Sequence, residues 1–572
     1  MRGRVYNSDT MQLRILLTMR KIFAKSTPAI QLICTLAASF LLTGCANAAA
    51  NSPQSSAVDL DNAKPTYTVE ITPSPEPLPV PVFIDPHVPT TIASQLTLPQ
   101  GYAISADDST AIRFTTLTKD GIYTQIYAAV APFFTVRDAI SSAELEKTWV
   151  GETGSISIRV TQQDAAVFSN LWGEPSADSV KVVNGDITPE TLPDEELVVT
   201  LLSFEALDPR WKVLTVDGFS PLDASLDVTA YPLAVHFGFR GLPADSPLNT
   251  LVQPETTNRH TGQMTSVIMT GTTALARAIA NRMDTKGVTY PDENVRDLLR
   301  SGDITHISNE VSFTPDCPPA NPLQTSMMFC SRPEYLDLLQ DVGVDVVELT
   351  GNHNLDWGYK PYLLSLEMYQ QAGIPVYGGG VDADAARAPY LIEHNGNRFA
   401  FLGCNYAGPR SAQATRNSPG AAACDYDYLT TEIQQLRQEG YLPIVTVQHA
   451  EYYHMLLSEK QQADFTRLSQ AGAVIVQGSQ SHFPQPKAFT DQGFIDYGPG
   501  NLFFDQMDRP VKGTRNEFIT RYTFYQGRLL SIQLTTWELE DYAQPRAMTA
   551  GERSAFLQTV FNASIALLDS DR

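Results

Sequence analysis

Four apolar runs in the second half of this chain stop abruptly at polar residues, and that recurrence limits what the chain can fold into. Val344-Asp345-Val346-Val347-Glu348-Leu349 breaks into Gly351-Asn352-His353. Ile304-Thr305-His306-Ile307 runs on to Asn309-Glu310. Pro443-Ile444-Val445-Thr446-Val447-Gln448 ends on His449, and Ala473-Val474-Ile475-Val476 leads to Gly478-Ser479-Gln480-Ser481-His482. Runs of β-branched residues read as buried strands. Helical patterns lie between them. Pro333 suits a first helical position, Leu336, Leu339 and Val342 form a stripe, and Gly343 ends it. Further helices are expected over 362–372 and 459–471. Strands alternating with helices predict an α/β fold, and α/β sheets carry their sites at the carboxyl ends of strands.

The chemistry at those ends is consistent. Glu310 offers a carboxylate, Asn352 an amide oxygen, and His449 and His482 imidazoles. Imidazole suits zinc, iron or copper, and oxygen ligands suit manganese. Taken one at a time, each is an ordinary loop residue. Four at equivalent strand ends point to one shared site, with His353, oriented by Asp356, as general acid.

Outside this region the sequence predicts a modular export product. Arg14, Arg20, Lys21 and Lys25 precede an apolar run over 30–42, too short to span about 30 Å of hydrocarbon. The run ends Leu42-Thr43-Gly44-Cys45, which resembles a bacterial lipobox with Cys45 lipidated; ordinary cleavage after Ala46 or Ala48 is the alternative. Residues 46–90, rich in Pro and Ser, read as a disordered tether. Residues 91–253 read as a smaller α+β domain, with helix starts at Thr135 and Thr161 and the tryptophans 149, 172 and 211 as core. This block is similar to type 2 periplasmic solute-binding domains in its mix of short elements. The acidic stretch through Asp186, Glu190, Asp194, Glu195 and Glu196 reads as a solvated loop. A second α/β domain is expected over 262–545, and a C-terminal helix over 546–572.

The net charge of −23 argues against nucleic acid as a partner. Beyond Cys34 and Cys45 four cysteines remain: Cys317, Cys330, Cys404 and Cys424. They allow three pairings; the sequence-near pairs close short loops, and buried free thiols are the other possibility.

Several motifs then converge. Asn309-Glu310, Gly351-Asn352-His353-Asn354-Leu355-Asp356-Trp357-Gly358, Ala372-Gly373-Ile374, Tyr377-Gly378-Gly379-Gly380, His449, Gly478-Ser479-Gln480-Ser481-His482 and Gly500-Asn501-Leu502-Phe503-Phe504-Asp505 resemble, in this order, the capsule synthesis protein CapA family of poly-γ-glutamate capsule biosynthesis. The resemblance covers about 264–505. It implies a layered α/β/β/α metallophosphatase-like sandwich and a divalent metal (Mn, Fe or Zn) on Glu310, Asn352, His449 and His482. It also implies an anionic envelope polymer or its precursor as partner. Two positions depart from the family. Thr272 stands where a metal-binding Asp is expected, and Gln480 where the first His of Gly-x-His-x-His is expected. The retained set suits one ion rather than the two of a clamp on attacking and leaving oxygens. Two functions stay open: a lipid-anchored, metal-dependent hydrolase or transferase on the extracytoplasmic face of the cell membrane, or a degenerate relative that binds a polymer or partner without chemistry.

Overall fold

The computed structural model describes residues 77–154, 156–192 and 197–570. The leader, Cys45 and most of the expected tether lie outside the described residues, as do Asp194, Glu195 and Glu196. Among the described residues no helix is long and apolar enough to cross a membrane.

The first block is built on a nine-stranded mixed sheet. The chain enters it at Val80–Ile84, which pairs in parallel with Tyr102–Ser105 and Ile112–Leu117. The tether expected to reach residue 90 therefore ends earlier. Pro79 before this run and Pro81 within it hide a strand whose Val82 is fully buried. Trp149 and Trp211 are core residues, as expected, and Trp172 packs against the same cluster. The helix Gln162–Trp172 starts at the expected place, with the Thr161 hydroxyl accepting from the Asp164 N–H. The helix expected from Thr135 is not there. Ala139–Ile140 is a short strand paired with Thr215–Val216, and the helix begins at Ser142. Ser141 provides the cap by accepting from the Glu144 N–H.

The second block contains a seven-stranded and a six-stranded sheet. In the first, Val376–Tyr377, Val346–Glu348, Ile304–Asn309 and Met264–Thr273 run parallel, and the sheet continues antiparallel through Asn516–Tyr525, Arg528–Glu540 and Gln544–Ala547. In the second, Asn397–Asn405, Leu442–Gln448, Ile475–Ser479 and Phe494–Asp496 run parallel. Side chains sort by parity because successive residues of a strand face opposite ways. Ile304, Val346, Ile444 and Ile475 share one core between the sheets. Their odd or even neighbours Ile307 and Val347 pack under the helices Arg277–Lys286, Leu336–Asp341 and Tyr359–Ala372. Val445 and Val476 pack under Tyr426–Gln438 and Glu459–Gln470. Helices thus cover both outer faces, giving the expected α/β/β/α layering. The C-terminal helix, Ala550–Ser570, adds Phe556, Leu557, Val560 and Phe561 to the core between the sheets.

Cys317 is bonded to Cys330 and Cys404 to Cys424, so both sequence-near pairings form.

Candidate functional site

The parallel strands of both sheets end at one rim, and parity decides which residues face it. Along Ile304–Asn309 the even residues face the other sheet, so Glu310 continues inward. Asn309 faces outward and donates its Nδ2 to Tyr369 Oη at 2.8 Å. Asn352 likewise continues the inward series of Val346 and Glu348. Gly351 lets the two loops touch: a Cβ there would sit 2.3 Å from Glu310 Cα, which no side chain tolerates.

The same rule corrects one expected ligand. Gln448 follows Ile444 and Thr446 toward the site, whereas His449 follows Val445 and Val447 to the helix-covered face. His449 lies under the Tyr406 ring at 4.2 Å and edge-on to Phe465 at 5.7 Å. Its Nε2 donates to Asp464 Oδ2 at 3.2 Å. Burial lowers its pKa, and the Asp464 carboxylate opposes that shift. His449 is a core histidine on the far side of the sheet from Glu310.

Gln448 takes the central place instead. Its Nε2 donates to Asn352 Oδ1 at 3.0 Å, to Glu310 Oε2 at 3.3 Å, and to Gln480 Oε1. Three acceptors from three loops are tied to one carboxamide. Below it a buried network joins the sheets. Tyr377 Oη meets His306 Nε2 at 2.9 Å and Thr446 Oγ1 at 3.0 Å, and Ser479 and Thr350 hydroxyls donate to Glu348. The network is buried, with His306 Nδ1 and Glu348 Oε2 left without hydrogen-bond partners.

The remaining expected residues ring Glu310. His353 Nδ1 donates to Asp356 Oδ2 at 2.7 Å, and the Phe329 N–H donates to the same oxygen at 2.8 Å. Phe329 lies against the His353 ring at 4.5 Å. His482 Nδ1 donates to Asn501 Oδ1 at 2.8 Å and packs on Phe504 at 4.7 Å. The turn holds Gln480 and His482 at φ of 76° and 49°, a left-handed backbone that persists only where the surroundings fix it. Arg277, ion-paired to Asp505, sits over Phe329 and Phe504. Burial raises the Glu310 pKa; His482, His353 and Arg277 pull it down, and Glu451 pushes it further up. Glu310 is 1% exposed, and its Oε1 has no hydrogen-bond partner.

The His353 pKa is raised. Burial works against the imidazolium, but the Asp356 hydrogen bond and the charges of Glu310 and Asp356 outweigh it. A raised folded-state pKa means that the pair's stabilisation is complete below the unfolded value of 6.5 and fades as pH rises through the folded one. Asp356→Asn is therefore expected to cost about 1.5–3 kcal/mol at pH 6, the worth of a hydrogen bond to a charged group, and less at pH 9. Thermal melts of both proteins across that range check it; a pH-independent difference rules it out.

The residues present do not fit the implied metal. Among the described residues no group of three or more His, Cys, Asp and Glu side chains is placed to hold an ion. The Asp expected after Gly271 is Thr272, whose hydroxyl accepts from the Gln480 N–H at 3.3 Å. The first imidazole position of Gly-x-His-x-His carries Gln480, and at the end of Leu442–Gln448 it is Gln448 that reaches the rim while His449 bonds to Asp464 on the other face. A carboxamide is a weak neutral ligand, and the oxygens of Glu310, Asn352 and Gln480 already accept from another carboxamide.

Gln448 was invisible as a site residue in the sequence. Thr446 and Gln448 alternate with Val445 and Val447, but both faces of the strand are buried, so the alternation does not say which of them meets the other sheet.

Residues 266–506 match the family model described as bacterial capsule synthesis protein PGA_cap. The capsule biosynthesis protein CapA of Bacillus anthracis is 24% identical over 246 residues, covering 42% of this chain and 60% of that protein. The PGA biosynthesis protein CapA of Bacillus subtilis is 23% identical over 247 residues, covering 42% and 63%. The match thus spans somewhat over half of each relative's length. Among solved structures, a calcineurin-like phosphoesterase of Bacillus subtilis is 11% identical, covering 52% of this chain and 98% of that one, with a TM-score of 0.31.

Proposed function

We propose, from a domain at 266–506 that belongs to the bacterial capsule synthesis protein CapA family, that this chain is an accessory of capsule or cell-wall polymer assembly. It holds an anionic polymer of the poly-γ-glutamate type, or its precursor, without metal-dependent hydrolysis. Cys45 carries the lipid that anchors it to the extracytoplasmic face of the cell membrane, and the segment after it acts as a spacer. The observation that carries the non-metal reading is the Gln448 carboxamide bonded to Glu310, Asn352 and Gln480. Arg277, His353 and His482 gather around the same carboxylate. Arg277 and His353 already pair with Asp505 and Asp356, so a polymer carboxylate would be held here by N–H donors of these side chains shared with those partners.

Metal analysis of the purified protein tests the first half. The wild type is expected to stay substoichiometric in manganese, iron and zinc, and Thr272→Asp with Gln448→His and Gln480→His to gain an ion. Stoichiometric metal in the wild type, lost in Glu310→Gln, overturns the reading. Calorimetry with poly-γ-glutamate in chelator tests the second half: binding should weaken with salt, as exposed ion pairing does. No binding at low salt rejects the polymer role.

The free Glu310 Oε1 and the intact His353–Asp356 pair favour a second reading, a hydrolase or transferase that works by proton transfer from these side chains. Polymer cleavage that survives chelation and is lost in His353→Ala would select it.

A further inference from the structure

Between the two blocks lies a cavity of about 430 Å3 that the site described above does not use. Its walls are largely apolar: Phe133 from the first block faces Ile532, Trp537, Met548 and Phe561 of the second, with Thr215, Gln533, Thr535 and Thr536 also in the lining. Phe133 anchors the junction, edge-on to Phe489 at 5.1 Å and to Phe494 at 5.5 Å. The charged groups lining the cavity are Asp138, Lys212 and Arg553. Arg553 grips Asp138 with Nε and Nη2 at 2.6 and 2.8 Å, and Lys212 Nζ lies 2.6 Å from the same carboxylate. Lys212 Nζ also donates to Thr135 O and Val136 O at 2.8 and 3.2 Å, so its three N–H groups are used; two cations share one anion, and the excess formal charge is offered by the Arg553 guanidinium in a largely apolar wall. Burial lowers the Lys212 pKa to about 8, with Asp138 opposing, so Lys212 is still mostly charged at neutral pH. Ligand sites are concave, apolar, set at domain junctions and provided with few convergent polar groups, with volumes of about 300–1,000 Å3.

We propose that this cavity binds a monoanionic amphiphile, a fatty acyl chain ending in a carboxylate. The chain lies among Phe133, Ile532 and Phe561, and the head pairs with Arg553, whose guanidinium keeps N–H donors beyond those given to Asp138 and Thr536. The charge balance selects the head group: an ammonium would add a third cation, and a neutral alcohol would leave the excess charge unmet. The inference stands apart from the capsule-family reading, since neither Glu310 nor Gln448 contributes to it.

Calorimetric titration of the whole chain with dodecanoate below its micelle concentration, beside dodecanol and dodecyltrimethylammonium, tests it. Dodecanoate is expected to bind saturably and to raise the melting temperature. Dodecanol should bind about tenfold more weakly, the loss of one charge-assisted contact, and the cationic amphiphile not at all. Val213→Trp fills the cavity from its half-buried wall and should abolish binding. Arg553→Gln should weaken dodecanoate without changing dodecanol, and a cooperative melt shows that each variant is folded. Equal binding of dodecanoate and dodecanol, unchanged binding in a folded Val213→Trp, or no saturable binding of dodecanoate each overturns the proposal.

Discussion

Lys487→Ala is expected to be among the most damaging single substitutions in the second block. Lys487 and Asp496 are both fully buried, on the adjacent strands Lys487–Phe489 and Phe494–Asp496. Lys487 Nζ also donates to Gly498 O at 3.1 Å and lies over the Phe518 ring at 4.5 Å. Burial pushes the lysine pKa down and the aspartate pKa up, and their mutual attraction opposes both shifts. Removing one partner strands a charge in the core, which costs about 3–5 kcal/mol. Domains are stable by only about 5–15 kcal/mol, so the melting temperature should fall steeply. The damage should reach the site, because Gly498 packs against Ser481 between Gln480 and His482. The double variant Lys487→Met with Asp496→Leu removes both charges and should recover much of the loss. A single-variant loss below about 1 kcal/mol, the scale of a surface pair, would show that the pair is solvated in practice.

The second large effect concerns the junction of the blocks. Phe133 is 4% exposed and packs against Phe489, Phe494 and Phe561, all in the second block. Phe→Ala in a core costs about 3–5 kcal/mol, through lost transfer energy and the void left behind. The first block has its own core around Tyr127, Trp149 and Phe168. Phe133→Ala should therefore loosen the junction more than either core. Calorimetry should show the wild type's melt dividing into two transitions, with proteolysis appearing near 254–260, the polar stretch between the blocks. A single, uniformly shifted transition would mean that the blocks unfold as one unit held by other contacts. Arg528, which donates to Leu207 O and Glu205 O, is then the next to remove.

The fold was legible where one residue type has one structural use. Apolar β-branched runs ending in Gly-Asn or Glu marked the strands Ile304–Asn309 and Val346–Glu348. Pro333 and Gly343 bracketed the turn of helix before the second of these. The start of the first block was hidden by Pro79 before a genuine strand and Pro81 within it. The false helix start at Thr135 came from reading a cap without the competing Ser141 six positions on. In the site, Glu310, Asn352 and the His353–Asp356 pair lie where their spacing placed them, because each follows a strand whose last residues fix its direction.

By itself the sequence determined that polar side chains would gather at the ends of parallel strands, since the carboxyl ends of the strands of an α/β sheet lie along one edge. It also carried the departures Thr272 and Gln480. Only the tertiary structure decided that Gln448, and not His449, reaches that rim. Thr446 and Gln448 alternate with Val445 and Val447, which marks two faces but not which of them turns toward the other sheet; the packing of Val445 and Val447 under the helix that carries Phe465 decides it.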